Sequence, residues 1–200
     1  MIGNDIIDLS QSVLSYSPHR RKRWLQKIAS SEELSLLKNW PEQLWPDILW
    51  AIKESVFKCQ SRQQYSTKLI PHHIVLTSLH PADNGNAHGE VHFGSNSYYV
   101  RLHMSDELIH ASASSTEDVV SWHWIKWGQI FDADDQSTLL RKKFLDHLQN
   151  QSDDIWHLSS NQEGLPIVSG PNGDSDKLSF SHHGQFGAWA YLPSHLFSFK

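Results

Sequence analysis

Residues 1–10, MIGNDIIDLS, open the chain with an isoleucine-rich run that carries two carboxylates, Asp5 and Asp8. A run this apolar predicts a buried strand over residues 2–9. A carboxylate in such a place is costly unless it is hydrogen-bonded, paired or bound to a metal. Alternation along a strand puts Asp5 on the side of Gly3, Ile7 and Leu9 and turns Asp8 the other way, so a regular strand cannot aim both acids at one ion. Taken alone, the stretch favours local roles: Asp5 capping a neighbouring amide and Asp8 starting the next turn.

The 200 residues and 38% hydrophobic content allow one sizeable core or two small ones and argue against disordered, collagen-like and membrane classes. No apolar run approaches the ~18 residues of a membrane span, and the acidic start lacks the charged and apolar regions of a signal peptide. A cytoplasmic protein without a membrane partner is expected. The single cysteine, Cys59, rules out an intrachain disulfide and reads as a small buried hydrophobe. A net charge of −5 disfavours a nucleic-acid partner, although residues 19–23, HRRKR, form one basic cluster. The 14 histidines are scattered without zinc-site spacing, so no zinc site is expected.

Pro18 suits the start of a first helix, Ser31-Glu32-Glu33 the start of a second, and Pro46 the first turn of a third running to about Gln63. Strands are predicted over 72–79, 89–94 and 97–104, then over 107–114 and 119–127. An amphipathic helix over 134–151 follows, and four further strands over 155–160, 166–170, 178–182 and 187–192. Residues 169–177, SGPNGDSDK, read as a loop and a candidate mobile segment.

Two stretches carry chemistry-bearing residues. In LWAIKESVFKCQ, residues 49–60, helical spacing gathers Ile52, Val56 and Cys59 with Ile48 and Leu49 on one face and Trp50, Glu54 and Lys58 on the opposite one. Glu54 and Lys58 alone describe an exposed i, i+4 ion pair worth about 0.3–0.5 kcal/mol. In LSFSHHGQFGAWAYL, residues 178–192, alternation puts Ser179, Ser181 and His183 on one face and Phe180 and His182 on the other. A histidine at a strand end can meet a phosphate or simply a carbonyl.

In order, IGNDIIDL, LWAIKESVFK and GLPIVSG followed by LSFSHHG resemble the 4′-phosphopantetheinyl transferase superfamily, whose hallmarks are a G-x-D-I strand, a W-x-x-K-E-[SA]-x-x-K helix and an S-x-S-H strand. RWLQKIASSEE, residues 23–33, is similar to the family's stretch between the first two hallmarks. The motif order follows the short holo-acyl-carrier-protein-synthase type, whereas the length is nearer that of the surfactin-type enzymes.

The resemblance implies an α+β fold of two similar halves, a pseudo-dimer, with residues 1–105 carrying the metal-binding motifs, residues 106–200 the histidine strand, and the active site between them. It implies transfer of 4′-phosphopantetheine from coenzyme A to a serine of an acidic acyl or peptidyl carrier protein, with magnesium as cofactor, by a monomer. Asp5 and Glu54 are implied as metal ligands, Glu54 and Lys58 as catalytic groups, and Asp8 as an outer group. Ser181, His182, Lys53, Gly164 and Pro166 are implied on the coenzyme A side, and Arg20, Arg21 and Arg23 as the carrier-binding surface. Two rivals remain: a relative that binds coenzyme A or a carrier without turnover, and a metal-dependent nuclease, against which the helical spacing of Glu54 and Lys58 counts.

Overall fold

The opening strand β1 (Ile2–Asp8) is buried on both faces, which is why it reads as a near-continuous apolar run. Its odd residues meet helix α3 (Trp45–Gln64). There Gly3 is obligatory, because a Cβ would lie 2.1 Å from the Ser55 carbonyl oxygen and 2.6 Å from the Cys59 amide. Its even residues face the far end of the chain: Ile2 packs with Val120, Ala190 and Leu192, and Ile6 with Leu108, Phe186 and Ala188.

The structure, a computed structural model, describes residues 1–12, 17–64, 68–118, 120–127 and 132–197. Residue 119 of the predicted strand 119–127 lies outside these. The fold is mixed α+β with antiparallel sheets. After β1 come α1 (Pro18–Ile28), α2 (Ser31–Leu36), α3, and strands β2 (Ile74–Pro81), β3 (Asn86–Phe93), β4 (Asn96–Met104) and β5 (Leu108–Ser114). Ser30 caps α2 in a capping box with Glu33, one residue before the position read as its start.

The five strands form a sheet in the order β1-β5-β4-β3-β2. Ile48, Leu49, Ile52, Val56 and Cys59 of α3 are all fully buried against it, as the helical spacing requires. At about 1.5–3 kcal/mol per buried aliphatic side chain, this face is a large contributor to the first core. Burial pushes the Cys59 thiol up to about 11, so it serves as the inert hydrophobe expected.

The second core has its own helix, α4 (Ala133–Gln149), between β6 (Ser121–Lys126) and β7 (His157–Ser160), β8 (Pro166–Gly170), β9 (Gly173–Ser175), β10 (Leu178–His183) and β11 (Phe186–Tyr191). Phe144 of α4 meets Phe180, Trp189 and Tyr191 edge to face. Strands β10-β11-β6 form one sheet and β7-β8-β9 another.

Two readings change. Strand β5, assigned by sequence to the second half, is hydrogen-bonded between β1 and β4, so the first sheet runs through Ser114 and does not end at 105. Of residues 169–177, read as a mobile loop, residues 169–175 belong to the β8–β9 hairpin, in which Gly170 pairs with Gly173 and Gly173 takes a φ of +94°. Among the described residues no helix is long and apolar enough to cross a membrane.

Candidate active site

Because β1 alternates, Asp5 points at α3, and because Glu54 and Lys58 are one helical turn apart, α3 presents both to it. The Lys58 ammonium donates to Asp5 Oδ1 at 2.8 Å and stands 3.9 Å from Glu54 Oε1. One cation thus sits between two acids brought from different elements, 13% and 23% exposed. Burial pushes both carboxyls above their ordinary range, and Lys58 opposes the push in each. Asp5 raises Glu54 further by repulsion.

Strand β10 is fastened to the free edge of β1. The Asn4 amide donates to Ser179 Oγ at 3.1 Å, Asn4 Nδ2 to Ser181 Oγ at 2.9 Å, and the Asp8 amide to His183 Nδ1 at 2.9 Å. The predicted common face of Ser179, Ser181 and His183 is therefore the docking face. The bond at Nδ1 puts the His183 ring proton on Nε2. His182 lies on the opposite face, half-buried, and burial, then Lys58 and His183, hold it below the ordinary histidine range.

Asp8 is engaged elsewhere. Its Oδ1 accepts from the Ser10 amide at 2.9 Å and the Ser10 hydroxyl at 2.6 Å, and its Oδ2 from the Gln185 amide at 2.8 Å. Burial would raise its pKa, but the bonds from Ser10 and Gln185 together outweigh it and hold the carboxyl low. It starts the turn after β1, as the local reading has it, and also clasps the β10–β11 turn. There Gly184, at φ +57°, leaves no room for a Cβ, which would lie 2.3 Å from Asp8 Oδ2.

Three expected residues are not gathered at this site. Lys53 is fully buried, 2.8 Å from Glu33 Oε1, and donates to the carbonyls of Pro71 at 3.0 Å and Ile74 at 2.7 Å. Three partners use its three protons, leaving none for a phosphate. Gly164 forms the β7–β8 turn at φ +78° and Pro166 opens β8, in the small separate sheet.

Arg20, Arg21 and Arg23 lie on α1, which rests on α3 through Trp24 and Trp50, with ring centroids 5.3 Å apart. Trp50 is one turn before Glu54, so the basic helix flanks the acids. Arg20 and Arg23 are exposed.

Sequence reasoning missed Asn4 and Arg62. A buried amide in an apolar run, between Gly3 and Asp5, was the available signal for Asn4. Arg62, near the end of α3, donates to the carbonyls of Asp176 at 3.3 Å and Leu178, tying the acid helix to the start of β10. No local pattern marks that bond.

The donor set suits a hard divalent ion: two carboxylates whose ionised forms lack solvent, already facing one cation. Among the described residues no group of three or more histidines, cysteines and acids converges as a metal cage. Magnesium asks for less, one or two carboxylates completed by phosphate oxygens and water.

A family model of the 4′-phosphopantetheinyl transferase superfamily matches residues 1–116, from the first strand to just past β5, and the chain belongs to that superfamily. No curated protein and no solved structure gives a match.

Proposed function

We propose that the chain transfers 4′-phosphopantetheine from coenzyme A to a serine hydroxyl of an acidic apo carrier protein, as holo-acyl-carrier-protein synthases do, acting in the cytoplasm as a monomer. The observation that carries this reading is the meeting of Asp5, Glu54 and Lys58 beside a histidine strand fastened to β1. In the reaction the serine oxygen bonds to the phosphorus that bears pantetheine, and the bond from that phosphorus to the nucleotide's 5′-phosphate oxygen breaks. Adenosine 3′,5′-bisphosphate leaves.

Glu54 takes the serine proton; burial raises its pKa toward the working range and makes it a better base. Lys58 neutralises charge growing on the bridging oxygen. Asp5 and Glu54 would hold magnesium, which supplies Lewis-acid neutralisation of the pyrophosphate. His182 meets a coenzyme A phosphate, with Ser181 setting the strand's register through Asn4, and the turn of Gly164 and Pro166 shapes the loop on the nucleotide side. Arg20, Arg21 and Arg23 steer the acidic carrier toward the acids.

The site lies between two similar halves, divided after β5. Correspondence of strand order supports this: in β1-β5-β4 and in β6-β11-β10 alike, the first strand pairs with the last and the last with the one before it.

The test incubates purified protein with coenzyme A, magnesium and apo carriers of the acyl and peptidyl kinds, and weighs each carrier intact. A gain of one phosphopantetheine group with equimolar adenosine 3′,5′-bisphosphate is expected. No gain on any carrier would contradict transfer and favour the binding-only relative.

A further inference from the structure

On the sheet face opposite α3 runs a cleft of about 880 Å³, the size of a small-molecule site, between strands β2 to β5 and strand β6. Asp5 and Glu54 lie on the α3 side, so the sheet itself separates them from this cleft.

Three alternate residues of β4 face into it, Tyr99, Arg101 and His103, about 7 Å apart along the strand. Trp124 of β6 stacks on His103, centroids 4.5 Å apart and planes 21° apart, yet keeps 39% of its surface exposed; Tyr99 keeps 38%. Arg101 makes one long bond, 3.4 Å to the Val120 carbonyl. Among the described residues no carboxylate pairs with it. Glu90 sits directly across from Tyr99 in the β3–β4 register, and Glu117 and Asp118 stand in the cleft lining. Ser112, 1% exposed, also lines it, and its buried hydroxyl has no hydrogen-bond partner.

Exposed aromatic surface in a concave site favours a ring. A guanidinium without a carboxylate favours an anionic group. The acids around it repel a simple anion and favour a ligand that also carries a cation. Along β4 these recognisers come in order, stacked aromatics, then guanidinium, then acid. We propose that the cleft is a second ligand site that binds a small aromatic zwitterion, of the class of an aromatic amino acid, with its ring on Trp124, its carboxylate on Arg101 and its ammonium toward Glu90.

The test is ligand-observed saturation-transfer NMR on the full chain, without coenzyme A or carrier, so its outcome is independent of the transferase reading. The probe is L-tryptophan, set against L-alanine, tryptamine and indole-3-propionate, which lack the ring, the carboxylate and the ammonium respectively. Binding of L-tryptophan is expected, with each truncated probe about tenfold weaker. Trp124→Ala should weaken L-tryptophan about tenfold, and Arg101→Gln should erase its advantage over tryptamine. Neither change should alter carrier modification. Absence of binding at millimolar L-tryptophan would overturn the proposal, as would equal binding of all four probes or insensitivity to both substitutions. The probe series on the unaltered chain decides the matter even where a variant misfolds.

Discussion

Helix α3 carries two lysines five residues apart, each 2.8 Å from a carboxylate oxygen, and they do opposite things. Lys53 is sealed inside the protein, paired with Glu33 and two carbonyls. Burial lowers its pKa and Glu33 pulls it back up. Lys58 stands at the outer edge, 29% exposed, shared by two acids with donors to spare. Both belong to the same sequence motif. Unspent hydrogen-bonding capacity separates Lys58 from Lys53, and motif membership does not report it.

The contrast breaks most readily at Lys53. Replacing it by methionine strands the Glu33 carboxylate and two carbonyls in the core, and removing one partner of a buried pair costs about 3–5 kcal/mol. Denaturant unfolding should show that loss, while carrier modification per folded molecule is unchanged; full stability would refute the buried-pair account. Lys58→Met should do the reverse, lowering turnover about 10²–10³-fold with an unfolding midpoint nearly that of the parent.

A third base sharpens the comparison, because it is buried without an acid. His110, on β5, accepts at Nε2 from Asn4 Nδ2 at 3.2 Å, and burial pushes it from 6.5 down to about 3. Between those values the unfolded chain binds a proton that the folded chain refuses. Stability is therefore full above pH 6.5 and falls as pH drops toward 3, by up to about 1.4 kcal/mol per pH unit. His110→Gln should remove about one proton from that slope, and an unchanged slope would show that His110 is not its source.

The smallest effect belongs to the surface. Charge reversal at Arg20 and Arg21 should raise the carrier KM several-fold at low salt, less at high salt, and leave the coenzyme A KM alone. Unchanged carrier kinetics at low salt would discard α1 as the docking surface.

Much of this was legible in the sequence because it is periodic. Alternation separated Asp5 from Asp8, and the helical repeat put Glu54 and Lys58 opposite Ile52 and Cys59. What escaped depends on partners distant in sequence. Lys53 is defined by Glu33 before it and Ile74 after it; Arg62 is defined by carbonyls at 176 and 178. The turn at Ser105-Asp106 was seen as a boundary, yet it joins β4 to β5 within one sheet, since local signals mark where a chain turns and not which strand it pairs with next. The cleft around Trp124 was invisible for the same reason.

The most direct test of the central claim, that β1 and α3 bring two acids to one task, is a double-mutant comparison of carrier modification rates. Asp5→Asn and Glu54→Gln should each lower the rate about 10³-fold, and the double variant should be no worse than the weaker single, because groups that act as a unit fail together. Near-parental rate in either single variant, or losses that multiply in the double, would contradict a shared site.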